Sequence, residues 1–225
     1  MLILGISTSS GQFALLLGEN NQVIYDSSEF EKEDNKELYY LLQNALNACN
    51  KKTSDINHII VDTGPGGTSR VRTGIAFANS LAYSLNIPAS PVSTMELAGI
   101  DAYNKYGLPV VNSVKSIKGN AYIGFYSGER RKVKDERTEF YEEVQIEYGK
   151  IEEIVPKFVD SFDKFVVVGA HRELIMQLPE LAGKIIIDSQ MQYGNARIFI
   201  EKSDLFTGRG LVFPQFVMPI TEQTL

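Results

Sequence analysis

Residues 61–74 read V-D-T-G-P-G-G-T-S-R-V-R-T-G, an apolar strand end that passes through a glycine turn into a helical pattern. Gly64, Gly66 and Gly67 open backbone angles closed to other residues, while Pro65 fixes its own φ and offers no N–H. Such a turn lets backbone approach backbone or ligand closely. The uncapped N–H groups of the helix that follows, at the positive end of its dipole, suit an anion or an oxygen-rich partner. A tight strand-to-helix connection would use the same residues for no other purpose. No Gly-Lys-Ser/Thr follows, so this is not a Walker A loop, and without G-x-G-x-x-G spacing it is not a dinucleotide fingerprint.

Around this turn the hydrophobic pattern alternates between β and α periods. Strands are expected over 2–7, 12–18 and 22–30, the last two joined by Asn20-Asn21, which suits positive φ. Asp34 with Glu37 has capping-box spacing, and Leu38, Leu41, Leu42, Ala45 and Cys49 then recur at helical spacing. A strand over 56–62, a helix over 68–85, a strand over 87–92 and a helix over 93–106 complete a first set. A second set of strands begins at 109–114 and continues at 121–126, 138–146, 165–169 and 184–188. We therefore expect a division near Gly107, with domains 1–106 and 107–225. Roughly the last 30 residues are free to pack back on either half, the first included. No repeat is visible at the level of residues.

With 225 residues, 44% hydrophobic and 22% charged, the chain can bury one large core or two smaller ones. A net charge of −6 argues against binding nucleic acid by charge alone. The basic run Arg130, Arg131, Lys132, Lys134 and Arg137 reads as a solvated hairpin tip, with a local contact to RNA as its functional alternative. The single cysteine, Cys49, lies on a helical apolar stripe and leaves no internal disulfide or multi-cysteine metal site. No apolar run reaches membrane-spanning length, and a cytoplasmic location without membrane contact is expected.

Three segments together resemble the TsaB (YeaZ) family, which serves the synthesis of threonylcarbamoyladenosine on transfer RNA. They are I-L-G-I-S-T-S-S-G-Q-F-A-L at 3–15, G-P-G-G-x-x-x-V-R-x-G-I-A at 64–76, and I-P-x-x-P-V-S-T-M-E at 87–96. The match covers about the first 100 residues and is loose beyond them. Gly64, Pro65, Gly66, Arg72 and Gly74 fall on the family signature. Arg70 stands where the signature has glycine, and Asn35 and Tyr40 stand where the preceding helix often has histidine and proline. The resemblance implies an α/β fold of the ASKHA (actin, sugar kinase, Hsp70) type, with two related lobes of mixed β-sheet and flanking helices. It also implies a non-catalytic scaffold for the transferase TsaD, with the ATPase TsaE as a further partner. ATP and magnesium would enter through those partners, the isolated subunit holding no cofactor, and transfer RNA would be met only within the complex.

The residues agree with that implication on chemical grounds. Phosphoryl transfer on this type of fold needs a carboxylate on the first strand to hold the waters of Mg²⁺, and Ser7 stands there. Asp62, Asp101 and Asp188 read as strand-end or helix-end residues, and His58 and His171 have no second ligand at i+4. No zinc motif or nucleophile elbow supports a peptidase. We assign no catalytic or metal residue. In the helix at 68–85, Phe77 and Leu81 form a second apolar stripe beside Val71, Ile75 and Ala78, so a partner is expected to cover it. The docking face expected is Tyr39, Tyr40, Arg70, Arg72, Gly74, Phe77, Ala78 and Leu81, with Gly64, Pro65, Gly66 and Gly67 as the loop signature. A TsaD heterodimer and a homodimer would share it. The alternatives are an autonomous ATP-dependent enzyme of the same fold and a divergent interaction module.

Overall fold

The computed structural model describes residues 1–10, 13–29, 37–128, 131–134, 139–142, 144–188 and 190–225. They divide into two units, one of residues 1–93 and 196–220, the other of 94–195 and 221–225.

In the first unit, β1 (Leu2–Ser7), β2 (Ala14–Glu19) and β3 (Gln22–Asp26) form an antiparallel meander. Asn20 and Asn21 make its tight turn at φ 51 and 60. Past α1 (Leu38–Ala48), β4 (Ile56–Asp62) lies parallel to β1, and past α2 (Thr68–Leu85), β5 (Ala89–Val92) lies parallel to β4. The order is β3-β2-β1-β4-β5. Every residue of β1 is buried, because both faces of this sheet are covered. Leu2, Leu4 and Ile6 join Leu42, Ala45, Val71, Ile75 and Ala78 in one cluster beneath α1 and α2. Asn86 ends α2 in the left-handed region, at φ 53.

The second unit opens with α3 (Thr94–Tyr106), then β6 (Val110–Lys115) and β7 (Ala121–Tyr126). A separate two-stranded ribbon, β8 (Arg131–Lys134) with β9 (Glu139–Glu142), precedes β10 (Gln145–Gly149). The unit closes with α4 (Ile151–Val159), β11 (Lys164–Gly169), α5 (Arg172–Met176) and β12 (Ile185–Asp188). Its sheet has the order β10-β7-β6-β11-β12. In both sheets the first strand lies at the centre, two antiparallel strands follow on one side, and two parallel strands follow on the other through helical crossovers. The duplication absent from the residues is present in the topology, as expected of an ASKHA-type α/β fold.

The division falls between Ser93 and Thr94, thirteen residues ahead of Gly107, because α3 packs on β6, β7 and β11. In return, α6 (Ile198–Glu201) and α7 (Asp204–Thr207) belong to the first unit. A Cβ at Gly5 would stand 3.2 Å from Phe199, and one at Gly18 would collide with Ile200, so both glycines make room for α6 on the second face of the sheet. Phe199 is fully buried there with its ring against Phe206.

Truncating Phe199 to alanine is expected to cost about 3–5 kcal/mol, read as a lowered urea midpoint at unchanged slope. A cost below about 1 kcal/mol would show that residues 196–220 are not part of that core.

Candidate functional site

At the end of β4, Asp62 is 1% exposed and its carboxylate draws two loops together. Oδ1 accepts the Gly64 N–H at 2.8 Å. Oδ2 accepts the Ser7 hydroxyl at 3.1 Å, the Ser9 N–H at 3.3 Å and the Ser9 hydroxyl. The loop after β1 is thereby fixed to the turn before α2. Gly64 takes φ 85, which a glycine adopts without penalty, and precedes a cis peptide bond to Pro65. A Cβ at Gly66 would come within 2.6 Å of Ser9, and one at Gly74 within 2.5 Å of the Thr8 hydroxyl. Gly67 is the N-cap of α2 with no side-chain cap, and the Arg70 guanidinium folds back so that a Cβ at Gly67 would lie 2.9 Å from it. The helix start therefore carries uncapped N–H groups with a cation folded over them.

The expected docking residues separate into two groups. Tyr39 and Tyr40 are 59% and 48% exposed, their rings edge to face, and Arg70 and Arg72 are exposed on α2. Gly74 and Ala78 are buried and do not face outward: Ala78 is in the cluster shared by β1, α1 and α2, and Gly74 meets Thr8. Smallness here serves close packing of the helix on its own sheet. Phe77 and Leu81 are half-buried and pack against that same cluster, so they are not a bare second stripe. The chain's own C-terminal segment reaches this helix: Asn79 donates to the Val217 carbonyl at 2.9 Å and accepts its N–H at 3.0 Å, and Val217 joins the core. What α2 leaves exposed is Thr68, Ser69, Arg70, Arg72, Thr73, Ala76, Ser80, Tyr83 and Ser84.

The other polar candidates are dispersed. His58 is 4% exposed and lies 2.7 Å from the Ser90 hydroxyl, which donates to the Phe206 carbonyl at 2.8 Å. With the serine proton so used, the imidazole carries its proton on Nε2 and donates. Burial pushes the His58 pKa down to about 4. Asp101 accepts the Asn195 N–H at 2.8 Å. Cys49 is half-buried near the Ile24 carbonyl, and burial raises its pKa. Among the described residues, no three His, Cys, Asp or Glu side chains converge as a metal site, and no helix is long and apolar enough to cross a membrane. Asp34, Asn35, Arg130 and Arg137 lie outside the described residues, and of Arg131, Lys132, Lys134 and Asp188 only the backbone is described. Ser9 and the Asn79–Val217 clamp were not singled out in the sequence. Nothing local marks them, since each bonds a residue at least 53 positions away.

A duplicated five-stranded unit, with hydroxyls after its first strand and a Gly-Pro-Gly-Gly turn opening a long helix, defines a protein of the ASKHA class. It superimposes on YeaZ from Pseudomonas aeruginosa with a TM-score of 0.74, at 16% identity and covering 98% of this chain and 99% of that one. Residues 28–182, more than half of the chain, match the family model described as TsaD, tRNA N6-adenosine threonylcarbamoyltransferase. The tRNA threonylcarbamoyladenosine biosynthesis protein TsaB of Bacillus subtilis is 31% identical over 129 residues, which are 56% of this chain and 55% of that protein. The protein of the same name from Buchnera aphidicola (Schizaphis graminum) is 29% identical over 127 residues, 56% of this chain and 60% of its own length. The match thus spans little more than half of these curated relatives. The chain belongs to this family, in its TsaB (YeaZ) branch.

Replacing Asp62 with alanine strands two hydroxyls and two N–H groups, and is expected to cost at least about 4 kcal/mol in a urea titration. A smaller loss than from Ser9→Ala would contradict the carboxylate's place at the centre of the turn. For His58, the folded pKa of about 4 lies below the ordinary 6.5. Between those values the unfolded chain takes up a proton that the folded chain refuses, so stability falls as pH drops, by up to about 1.4 kcal/mol per pH unit. Urea midpoints at pH 7, 6 and 5 should show a steeper decline in the parent than in His58→Gln.

Proposed function

We propose that this protein is a non-catalytic subunit of the machinery that makes threonylcarbamoyladenosine on transfer RNA, and that it docks through α1 and α2 onto a TsaD transferase. What carries the reading is the chemistry of the outward side of α2. The Thr73 hydroxyl donates to the Ser69 carbonyl at 2.9 Å, Ser80 to Ala76 at 2.8 Å, and Ser84 to Ser80 at 2.8 Å. These hydroxyls are already satisfied, so covering them strands no donor, and small side chains let a second helix come close. On α1, which shares the same core cluster, Tyr39 and Tyr40 supply the large exposed rings favoured as interface anchors.

The donor set near β1 supports a role without chemistry of its own. Ser7 cannot supply the negative charge that a magnesium nucleotide needs, and both oxygens of Asp62, the carboxylate in its hydrogen-bond shell, are occupied by protein donors. These residues do not fit a magnesium site. ATP and magnesium are accordingly assigned to TsaD and to TsaE, and a second copy of this chain would compete for the same face. A cytoplasmic location follows from that assembly.

Mixing with a TsaD homologue followed by size-exclusion chromatography is the test, with association expected at micromolar concentrations. Ala76→Arg places a long cation on the exposed side of α2 and is expected to weaken association at least about tenfold at unchanged thermal stability, and Tyr39→Ala with Tyr40→Ala similarly. Ala78→Arg, in the core, is expected to unfold the first unit. Full binding by a folded Ala76→Arg protein rejects the face. Turnover of ATP by the isolated chain rejects the role.

A further inference from the structure

In the first unit α1 packs on β2 and β3, and α2 packs on β1, β4 and β5, the last of which is an edge strand. Residues 211–220 border that edge and form a strap, so the layer over the sheet reads α1, α2, strap. Its backbone is fixed at three points. Ala89 and Leu211 exchange both backbone hydrogen bonds, at 3.0 and 2.9 Å, the Asn79 side chain holds the N–H and the carbonyl of Val217, and the Ile220 N–H donates to the Thr63 carbonyl at 2.9 Å. Leu211 and Val217 turn inward and join the core.

The side chains between and after them turn outward. Val212, Phe213, Phe216 and Met218 on the strap, with Tyr83 in the last turn of α2, are 45–68% exposed. The Phe213 ring lies edge to face with Tyr83 at 5.0 Å between centroids and with Phe216 at 5.7 Å. Single exposed apolar residues are ordinary, whereas a joined cluster of rings marks a contact surface. Because the backbone is already tied down, covering these rings orders little that was free. Tyr83 also belongs to the exposed stripe of α2, so the cluster continues that stripe.

Charge narrows what could cover it. Arg70 and Arg72 are the only charged residues in α1, in α2 and in residues 210–220. Arg72 lies about 16 Å along the α2 axis from Tyr83, at the other end of the stripe. A second copy of this chain, packed through the same three segments, would bring the arginines no carboxylate, and covering a cation without an anion is costly. A different protein can supply one.

We propose that the strap is a third element of the docking surface, on which the partner sets an apolar face against Phe213 and Phe216 and a carboxylate against Arg72. This rests on docking to a TsaD transferase through α1 and α2, and adds to it an aromatic anchor that lies outside both helices, where truncation of a buried ring is most strongly felt.

The test measures the affinity of the full-length chain for a TsaD homologue by calorimetry. Phe213→Ser combined with Phe216→Ser is expected to weaken association at least about tenfold at an unchanged melting temperature, since both rings are on the surface. Met218→Lys leaves the ring cluster intact, places a charge in the covered area and should weaken association similarly. Ile117→Lys, at an exposed apolar residue of the second unit, should bind within about twofold of the parent. If Ala76→Arg weakens association but both strap variants bind within about twofold of the parent, docking through α2 survives and the strap proposal is overturned. Loss of self-association in sedimentation, with transferase binding intact, assigns the strap to a second copy and equally overturns it. Absence of binding by the parent chain rejects the docking reading itself, and this inference with it.

Discussion

The first unit depends on one carboxylate. Asp62 ends β4 and is bonded by groups from the loop after β1 and from the turn before α2. Without it, two backbone N–H groups and two hydroxyls would be buried near each other with nothing to accept from them, at about 1–3 kcal/mol for each unsatisfied group. With it, the two loops lie so close that only glycine fits at 66 and 74, and the start of α2 is set relative to the sheet. The same saturation explains why this carboxylate suits architecture better than ion binding. An oxygen that already accepts from protein N–H and O–H groups has little capacity left for the hydration shell of Mg²⁺.

That arrangement was only partly legible in the chain. The strand and helix on either side of the turn, 56–62 and 68–85, fall where the patterns put them, because an all-apolar strand, a glycine turn and an 18-residue amphipathic run are local signals. The tie between Asp62 and Ser9 is not local, since it depends on β1 and β4 lying in parallel register. The small residues of α2 misled for a related reason. Gly74 and Ala78 permit close approach, but periodicity does not say which neighbour approaches, and in the fold it is the helix's own sheet. Ala76, two positions from each, is the small residue that faces out.

Other differences have equally specific causes. α4 has Ile151, Ile154, Val155, Phe158 and Val159 at helical spacing, but Pro156 inside the run argues against a helix in any reading of sequence alone. The strand expected over 138–146 is two strands, β9 and β10, which belong to different sheets. α3 follows the first set of elements in the chain yet packs with the second sheet, while α6 and α7 follow the second set and pack with the first. A linear boundary near Gly107 cannot express that exchange.

The exchange also bears on how α2 remains available. A helix on a sheet buries one side, and here the C-terminal segment takes another through the Asn79–Val217 clamp. The stripe that remains carries Arg72 and Tyr83, and between them small residues, Ala76 with Thr73 and Ser80, the two hydroxyls of which bond back to the preceding turn, as does that of Ser84. Back-bonding of this kind is neutral or slightly unfavourable for an isolated helix, so it adds nothing to the stability of the free chain. Its benefit arises at Thr73, Ala76, Ser80 and Ser84 when they are covered: no long side chain must be ordered there, no charge desolvated and no donor left unpaired. A surface built to be inexpensive to bury, beside two exposed tyrosines on α1, is better explained by the complex it would enter than by the monomer that presents it.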